Sequence, residues 1–572
     1  MCLPIPSVSP ALALSNHNHL CTEENAWRGP RHWTFGLFVS DLRAEAGALI
    51  PRTGHYTRDV GTALTLTGEH LGLHDVWAVA VERASAGGLA DAARARMRAA
   101  RGVVERAAHG AHEHTYGVNT GFGRFVSRSI PEELTEELQL RLLRSHACGV
   151  GEPYPDAVVR AAMLLRANAL AKGSSGARVE TVELLLECLD RGILPYVPAR
   201  GSVGASGDLA PLAHLALPLV GEGRAWFEGE LLDGGEALRR AGLEPIRLVA
   251  KEGLSLINGT QFMSAQAALA LVRARRLAQT ADCACALSLE ALQGSRNSFI
   301  PQVHELRPLR GQGASARNVL RLLEGSAVIE SHRWCDKVQD AYSLRCAPQV
   351  HGASRDLLDY VEYTVGTELN AATDNPLVLV DDDLLVSAGN FHGQPLAFAL
   401  DALAMAVSEL ASISERRVER LVNPNLSDGL PAFLTTDGGL NSGFMIPQYV
   451  AASLVSENKS LCHPASVDSI PTSAGQEDHV SMGNASGLKA WQVVANSERA
   501  LAIELLAGAQ GIEFLAPLEP GRGVRAAYEA VRALSPRLRD DRPLGPDIEA
   551  VADAIRDGSL LAAVEAEVGE LE

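Results

Sequence analysis

The stretch GSVGASGDLAPLAH, residues 201–214, joins a glycine cluster to the start of an apolar, helix-like run. Gly201, Gly204 and Gly207 are spaced three residues apart, and only Ala205 and Ser206 separate the last two. A chain uses glycine where its backbone must adopt a left-handed conformation or approach another group closely. The stretch therefore predicts an unusual backbone geometry immediately before a helix.

Three ordinary interpretations of this cluster compete. A phosphate loop needs a Lys after its last glycine, and a dinucleotide loop needs G-x-G-x-x-G after a strand; neither pattern is present. A glycine-rich turn that ends at a helix N-cap, with Asp208 as the capping residue, fits better. The tripeptide alone is not specific, because residues 485–487 repeat Ala-Ser-Gly near another helix start. By pattern alone, the capped helix is the favoured interpretation.

Composition narrows the class of protein. The 572-residue chain is 47% hydrophobic and only 5% aromatic, which favours a large helical core. Its net charge of −18 disfavours nucleic-acid binding, and no run of about 18 uncharged apolar residues predicts a membrane span. The nine cysteines lack the spacing of a disulfide framework or zinc site, which suits a reducing cytoplasm.

Helical periodicity dominates from about residue 63 onward. Three long proline-free runs, at about 261–292, 396–422 and 486–511, predict helices that bury one another. The expected fold is mainly α, a long-helix bundle with a smaller N-terminal α+β part that carries the glycine-rich loops. The best strand candidates are short, at 377–380 and 384–386. The predicted divisions are a loosely ordered extension (1–60), a catalytic part (61–260), the bundle (261–530) and a helical tail (531–572).

The glycine motif resembles the signature of the ammonia-lyase and aminomutase family whose members build a methylidene-imidazolone (MIO) ring from their own backbone. The resemblance extends from about residue 63 to the C-terminus. It implies that the nitrogen of Gly207 attacks the carbonyl of Ala205, and that loss of two waters makes Ser206 an exocyclic methylene. A side chain on the attacking residue would crowd the ring, and glycine has none. No metal or soluble cofactor is implied; His112 and His114 indicate a metal pair only weakly.

The same resemblance assigns three further residues. Tyr116, in HTYGVNTGFG, corresponds to a catalytic acid–base group on a glycine-rich loop. A phenol needs nearby positive potential to act as a base, and helix N-termini are a possible source. Asn258, in KEGLSLINGTQ, matches a contact to the ring or to the substrate carboxylate, and Phe391, in SAGNFHGQP, a wall beside the ring.

The run CDKVQDAYSLRC, residues 335–346, is a second family signature, with Ala341 at the usual Pro position. Gln339, Tyr342 and Arg345 fall at i, i+3 and i+6, which predicts one helical face. The resemblance assigns these three residues to substrate binding, with Arg345 clamping the α-carboxylate through two parallel hydrogen bonds. Without the flanking match, a surface salt bridge is the alternative for Arg345.

Two positions indicate the substrate. Ser145-His146 resembles the pair of the histidine branch, although some tyrosine aminomutases share it. Glu477, in GQEDH, also resembles that branch, whereas the phenylalanine, tyrosine and aminomutase branches carry Gln-Asp-Val. A carboxylate can accept an imidazole N–H, but against a benzene ring it would be unpaired, at a cost of about 1–3 kcal/mol. Gly475 departs from the Asn of many relatives.

The resemblance therefore implies a cytoplasmic enzyme that converts L-histidine to urocanate and ammonia. It also implies a homotetramer with active sites shared between subunits, and no nucleic-acid or membrane partner. His146 and Glu477 are expected to hold the imidazole, while Tyr116 and Glu477 compete as the base. A tyrosine or phenylalanine ammonia-lyase or aminomutase is the alternative within the family. A catalytically silent helical scaffold is the alternative outside it.

Overall fold

Helices dominate the structure, a computed structural model that describes residues 64–109 and 115–572. The predicted extension at 1–60 and the histidines at 112 and 114 lie outside the described residues. Twenty α-helices form within the described ranges: α1 (Leu73–Ala80), α2 (Asp91–His109), α3 (Thr135–His146), α4 (Asp156–Ala171), α5 (Val179–Asp190), α6 (Leu209–Ala216), α7 (Gly234–Arg240), α8 (Glu252–Ile257), α9 (Gln261–Ala291), α10 (Pro301–Glu305), α11 (Arg310–Leu322), α12 (Ala327–Ser331), α13 (Tyr342–Arg345), α14 (Ala347–Glu368), α15 (Gln394–Val422), α16 (Met445–Leu461), α17 (Gly483–Ile512), α18 (Arg522–Leu534), α19 (Gly545–Asp557) and α20 (Ser559–Val568).

Three of these helices form the centre of the bundle, as the long apolar runs predicted. Helices α9, α15 and α17, of 31, 29 and 30 residues, pack against one another, and α14 packs against α15. Small Ala side chains at many buried positions let these helices approach closely, and α9 is buried nearly all round. The prediction of a mainly α fold with a long-helix core is confirmed.

The strands are short and lie outside the bundle. They are β1 (Thr65–Leu66), β2 (Gly88–Leu89), β3 (Val150–Pro153), β4 (Leu194–Pro195), β5 (Pro198–Arg200), β6 (Arg224–Phe227), β7 (Glu230–Asp233), β8 (Leu377–Leu379) and β9 (Leu384–Val386). β1 and β2 are parallel; β3 pairs antiparallel with β5, and β4, β6 and β7 form a three-stranded antiparallel sheet. β8 and β9, at the two predicted strand positions, pair antiparallel. The glycine cluster occupies the loop between β5 and α6.

Helix α15 is, within the described part of the chain, the one that has the length and composition to cross a membrane. Of its most apolar window, 72% is buried inside this chain, where it packs on α9, α14 and α17. The apolar side chains of α15 therefore lie in the core of the bundle.

Candidate active site

The glycine loop is tied to the N-terminus of α17. The carbonyl of Gly204 accepts a hydrogen bond from the Ser481 hydroxyl at 3.0 Å, and the Met482 N–H donates to the carbonyl of Val203 at 2.9 Å. Gly204 has φ +65°, and a Cβ there would lie 2.2 Å from Ser481 Oγ. Glycine is therefore required here both for its left-handed backbone and for the close approach.

The last glycine of the motif is still more confined. Gly207 has φ +72°, and a Cβ at this position would lie 2.1 Å from the carbonyl oxygen of Gly259. The next N–H, that of Asp208, donates to the same carbonyl at 2.7 Å. The backbone of Gly259 thus leaves no room for a side chain, which fits a residue whose nitrogen must close a ring.

The predicted N-cap position of Asp208 is confirmed, but its side chain bonds to a different helix. Asp208 occupies the N-cap position of α6, but its side chain makes no capping bond to that helix. One carboxylate oxygen accepts the N–H of Met263, in the first turn of α9, at 2.9 Å, and the other accepts the Ser202 hydroxyl at 3.1 Å. The side chain is fully buried, and burial raises its pKa to about 7. Asp208 therefore fastens the loop to the bundle.

Ser206 meets two of the predicted site residues. Its hydroxyl donates to Glu477 Oε1 at 3.0 Å, and its carbonyl accepts from the Asn258 side-chain amide at 3.1 Å. Asn258 Oδ1 is buried without a hydrogen-bond partner among the described residues. Such an orphaned acceptor is costly unless a bound group supplies a donor. The surroundings of Ser206 thus fit a ring and a polar ligand.

The backbone of Asn258 is held from behind by an arginine. Arg166 Nη1 donates to the Asn258 carbonyl at 2.9 Å and to the side chain of Gln261 at 2.7 Å. Arg166 is completely buried, and burial lowers its pKa to about 10, opposed by the charge of Asp374. A guanidinium therefore lies close behind the tripeptide.

Tyr116 lies near Glu477, and opposing effects act on its hydroxyl group. Its hydroxyl oxygen accepts the N–H of Gly123 at 3.5 Å. Burial is the main cause that raises the pKa of Tyr116, and the negative charges of Glu477 and Asp374 raise it further. The N–H of Gly123, the first residue of a short helical turn, acts in the opposite direction and lowers this pKa.

His146 also lies within the electrostatic reach of Glu477. Its Nδ1 lies 2.9 Å from the carbonyl oxygen of Leu142, and only a protonated Nδ1 can donate there. Burial lowers the pKa of His146, so the ring is neutral at pH 7. Nε2 is then left as a hydrogen-bond acceptor.

Glu477 closes a short hairpin that sequence reasoning did not single out. Thr472 Oγ1 donates to Glu477 Oε2 at 2.7 Å, and the Thr472 N–H donates to the Glu477 carbonyl at 2.7 Å. A hydroxyl five residues before a candidate carboxylate was the available signal in the sequence. Whether this hydroxyl reaches the carboxylate depends on the turn between them, which the sequence pattern did not reveal.

The three residues of the second signature are not brought to Ser206 within this chain. Gln339 is exposed and precedes α13, so the prediction of one shared helical face is wrong for it. Tyr342 is 71% exposed. Arg345 Nε donates to the carbonyl of Asp340 at 2.9 Å, and its guanidinium lies 4.6 Å from the centre of the Tyr342 ring. The alternative of a salt bridge for Arg345 is not realised among the described residues.

Hydrogen bonds made by the residues before α13 explain why this helix is only four residues long. Asp340 accepts the Ser295 N–H at 2.7 Å, and Lys337 binds the carbonyls of Leu292 and Gln293 at 3.2 and 3.3 Å. Lys337 and Asp340 are also paired at 3.1 Å. These bonds hold the residues before α13 in an irregular conformation at the C-terminal end of α9, where a cation is favoured.

Phe391 is half-buried in the turn before α15. Its neighbour His392 lies against His479, with ring centres 5.7 Å apart. The turn that carries Phe391 therefore approaches the segment that follows Glu477. Across the described ranges, no group of three His, Cys, Asp or Glu residues is arranged to hold a metal ion.

Comparison with known proteins agrees with this geometry. The model of the aromatic amino acid lyase family matches residues 71–533. A histidine ammonia-lyase from Gloeobacter violaceus is 59% identical over 476 residues, covering 83% of this chain and 92% of the relative. One from Symbiobacterium thermophilum is 55% identical over 505 residues, covering 88% and 99%. The chain belongs to the aromatic amino acid lyase family.

Solved structures give the same result. The crystal structure of histidine ammonia-lyase from Trypanosoma cruzi is 47% identical, with a TM-score of 0.83, covering 89% of this chain and 96% of that one. Tyrosine aminomutase from Streptomyces globisporus is 38% identical, with a TM-score of 0.85, covering 89% and 100%. The predictions of an ammonia-lyase-like fold and a carbon–nitrogen lyase are confirmed.

Proposed function

We propose that this protein eliminates ammonia from L-histidine to give trans-urocanate, the first step of histidine breakdown. The observation that carries the proposal is the contact between Glu477 Oε1 and the Ser206 hydroxyl at 3.0 Å. A carboxylate acceptor thus lies directly beside Ser206, the residue proposed to become the methylene of the ring. An imidazole N–H can use this acceptor, whereas a phenyl ring cannot.

The proposal includes cyclisation of Ala205, Ser206 and Gly207 into an MIO ring. Support comes from the confined, left-handed Gly207, from the amide of Asn258 on the Ser206 carbonyl, and from membership of a family that uses this group. When formed, the ring supplies an electrophile that converts the substrate amine into a better leaving group. No soluble cofactor is required.

The chain's own side chains bind and orient the substrate. Neutral His146 accepts one imidazole N–H through Nε2, and Glu477 accepts the other when the imidazole is cationic or turns to it. Arg345 binds the α-carboxylate, with Asn258 as a second donor. Tyr116 exchanges protons at the reacting carbons, and Glu477 is the alternative base.

Three other residues complete the proposed site. Gln339 and Tyr342 add polar contacts around the carboxylate, and Phe391 forms a wall near the ring. Gln339 and Tyr342 are exposed in this chain. We therefore place them, with Arg345, in the active site of a neighbouring subunit in a homotetramer.

The cytoplasm is the proposed location. Seven cysteines of the described ranges are free, three of them completely or almost completely buried as small apolar residues. No nucleic-acid or membrane partner is part of the proposal; the substrate is a free amino acid.

A tyrosine aminomutase is the second candidate, favoured by the Ser145-His146 pair and by the likeness to a solved aminomutase. A substrate panel on the purified protein separates the candidates. Urocanate formed from L-histidine supports the proposal, and coumarate, cinnamate or a β-amino acid from L-tyrosine or L-phenylalanine contradicts it. The Ser206→Ala variant is the blank. An intact mass without the loss of two waters, together with no turnover, would indicate the silent scaffold.

A further inference from the structure

The Thr472–Glu477 hairpin has an unusual backbone. Ser473, Ala474 and Gly475 are consecutive left-handed residues, with φ of 50°, 54° and 83°. A residue with a Cβ adopts this conformation at an energetic cost, so other contacts must hold the turn. The closing bonds run between the Thr472 N–H and the Glu477 carbonyl, 2.7 Å, and from the Glu477 N–H to the Thr472 carbonyl, 3.3 Å.

Each oxygen of the Glu477 carboxylate accepts a hydrogen bond from a different hydroxyl group. Oε2 accepts from Thr472 Oγ1 at 2.7 Å, and Oε1 accepts from Ser206 Oγ at 3.0 Å. In the proposed function, ring formation removes the Ser206 hydroxyl as water. Oε1 then loses its donor and becomes available to an imidazole N–H, while Oε2 keeps its bond to Thr472.

We propose that Thr472 is a positioning residue that determines specificity for an imidazole side chain. Its hydroxyl fixes the Glu477 carboxylate so that Oε1, and not Oε2, faces the substrate. A glutamate side chain has three rotatable bonds, and a hydrogen bond to one oxygen removes most of that freedom before the substrate arrives. The inference rests on the proposed function, because it assigns the exposed oxygen to L-histidine.

The hairpin also contacts the loop that carries Tyr116. A Cβ on Gly123 would lie 2.4 Å from Ser473 Oγ, so the turn packs directly on the loop of Tyr116. The Gly123 N–H is the donor to the Tyr116 hydroxyl. The Thr472 backbone bonds hold this packing without the side chain, so the hydroxyl can be removed while the turn is retained.

Two variants separate the hydroxyl from the shape of the side chain. Thr472→Val keeps the branched shape and loses the donor; Thr472→Ser keeps the donor. With L-histidine we expect kcat/KM to fall about tenfold for Val and to stay near wild type for Ser, because a hydrogen bond to a charged group is lost only in the first. The intact mass should show the ring in both variants.

A binding measurement tests the same point without turnover. In the Ser206→Ala background, calorimetry gives the affinities of urocanate and of cinnamate, which replaces the imidazole by a phenyl ring. Thr472→Val should weaken urocanate about tenfold and leave cinnamate unchanged, and Thr472→Ser should restore urocanate.

Three results overturn the inference: equal urocanate affinity in the Thr and Val proteins, equal weakening of both ligands, or an uncyclised Thr472→Val protein. The last would mean that Thr472 acts on ring formation and not on the substrate. Failure of the wild-type protein to form urocanate would instead overturn the proposed function.

Discussion

The two halves of the candidate site differ in how this chain completes them. Around Ser206, polar atoms from distant parts of the sequence bond to one another: Glu477 lies 271 residues away and Asn258 lies 52 away. Around Arg345, Gln339 and Tyr342 are exposed, and the half-buried Arg345 stacks on Tyr342 and bonds to Asp340 of the same segment. One half is assembled inside the chain, and the other is displayed on its surface.

The segment that carries Arg345 is nevertheless fixed by hydrogen bonds to other parts of the chain. Lys337 bonds to the carbonyls of Leu292 and Gln293, just after α9, and Asp340 accepts the Ser295 N–H. The buried Arg417, paired with Glu504 at 2.8 Å, also donates to the carbonyl of Ser343 at 3.3 Å. A segment fixed in this way has the rigidity that the proposed function requires of residues that bind substrate in a neighbouring subunit.

The largest effect is expected from a substitution of Ser206, in the half of the site that is assembled inside the chain. Ser206→Ala removes the hydroxyl that must leave during ring formation, so turnover should fall by at least about 10³-fold. The intact mass should then equal that of the linear variant chain, whereas the wild type should be lighter by two waters.

The chain supplies a matched control for that variant. Ser486 belongs to the second Ala-Ser-Gly, in the first turn of α17, and is fully buried. Ser486→Ala should keep both the ring and the activity. A normal rate in Ser206→Ala, or a lost ring in Ser486→Ala, contradicts the assignment of the tripeptide.

The next largest effect is expected from a substitution of Arg345, in the other half of the site. Arg345→Met should lower kcat/KM about 10²-fold or more, because two charge-assisted bonds to the carboxylate are lost. Ring formation should be unaffected, as judged by intact mass. Arg239→Met, on the exposed Arg239–Glu236 pair of α7, serves as the control and should change neither quantity.

Mixing the two broken halves tests whether they belong to different subunits. If subunits share sites as proposed, oligomers of co-expressed Ser206→Ala and Arg345→Met chains should regain activity, since about a quarter of randomly assembled sites receive both intact halves. If the mixture is no more active than the sum of its parents, each site is built within one chain and the comparison drawn above is wrong.

The sequence predicted the fold better than it predicted the geometry of the site. Long apolar runs gave α9, α15 and α17 to within about three residues, because apolar periodicity is a local property that burial rewards. Gln339 was wrongly placed on a helical face, because its conformation is set by Lys337 and Asp340 binding the distant end of α9.

Long-range packing also sets two features that the sequence did not predict. Asp208 was expected to cap its own helix, but its carboxylate serves α9, which is next to it only in the folded protein. At Tyr116, burial and the charge of Glu477 raise the pKa, whereas the Gly123 N–H lowers it. Neither effect can be derived from spacing, because each depends on which segments meet in the folded protein.

A smaller effect tests how tightly the internal half is packed. In the Ser206→Ala background, where ring formation plays no part, Gly207→Ala should destabilise the protein by about 3 kcal/mol or more. Its Cβ would lie 2.1 Å from the Gly259 carbonyl oxygen. Gly229→Ala is the control: Gly229 has a similar φ of 82° but nothing within 4 Å of the added atom, so only about 1 kcal/mol is expected. Thermal unfolding at a fixed scan rate compares them, and equal shifts would show that the close approach is absent.

The last prediction is a pH dependence of the same packing. The pKa of buried Asp208 is about 7, whereas an unfolded aspartate has about 3.9. Between these values the folded state holds a proton that the unfolded state has released, so Asp208 makes the fold progressively less stable as pH rises from about 4 to about 7. Asp208→Asn cannot titrate, and its amide can still bond to Met263 and Ser202. In the Ser206→Ala background, the wild-type Asp208 protein should therefore lose thermal stability relative to Asp208→Asn across this range and then run parallel to it. A constant difference from pH 4 to 8 would mean that Asp208 is ionised in the fold throughout, and that the internal half is held by charge and not by a buried acid.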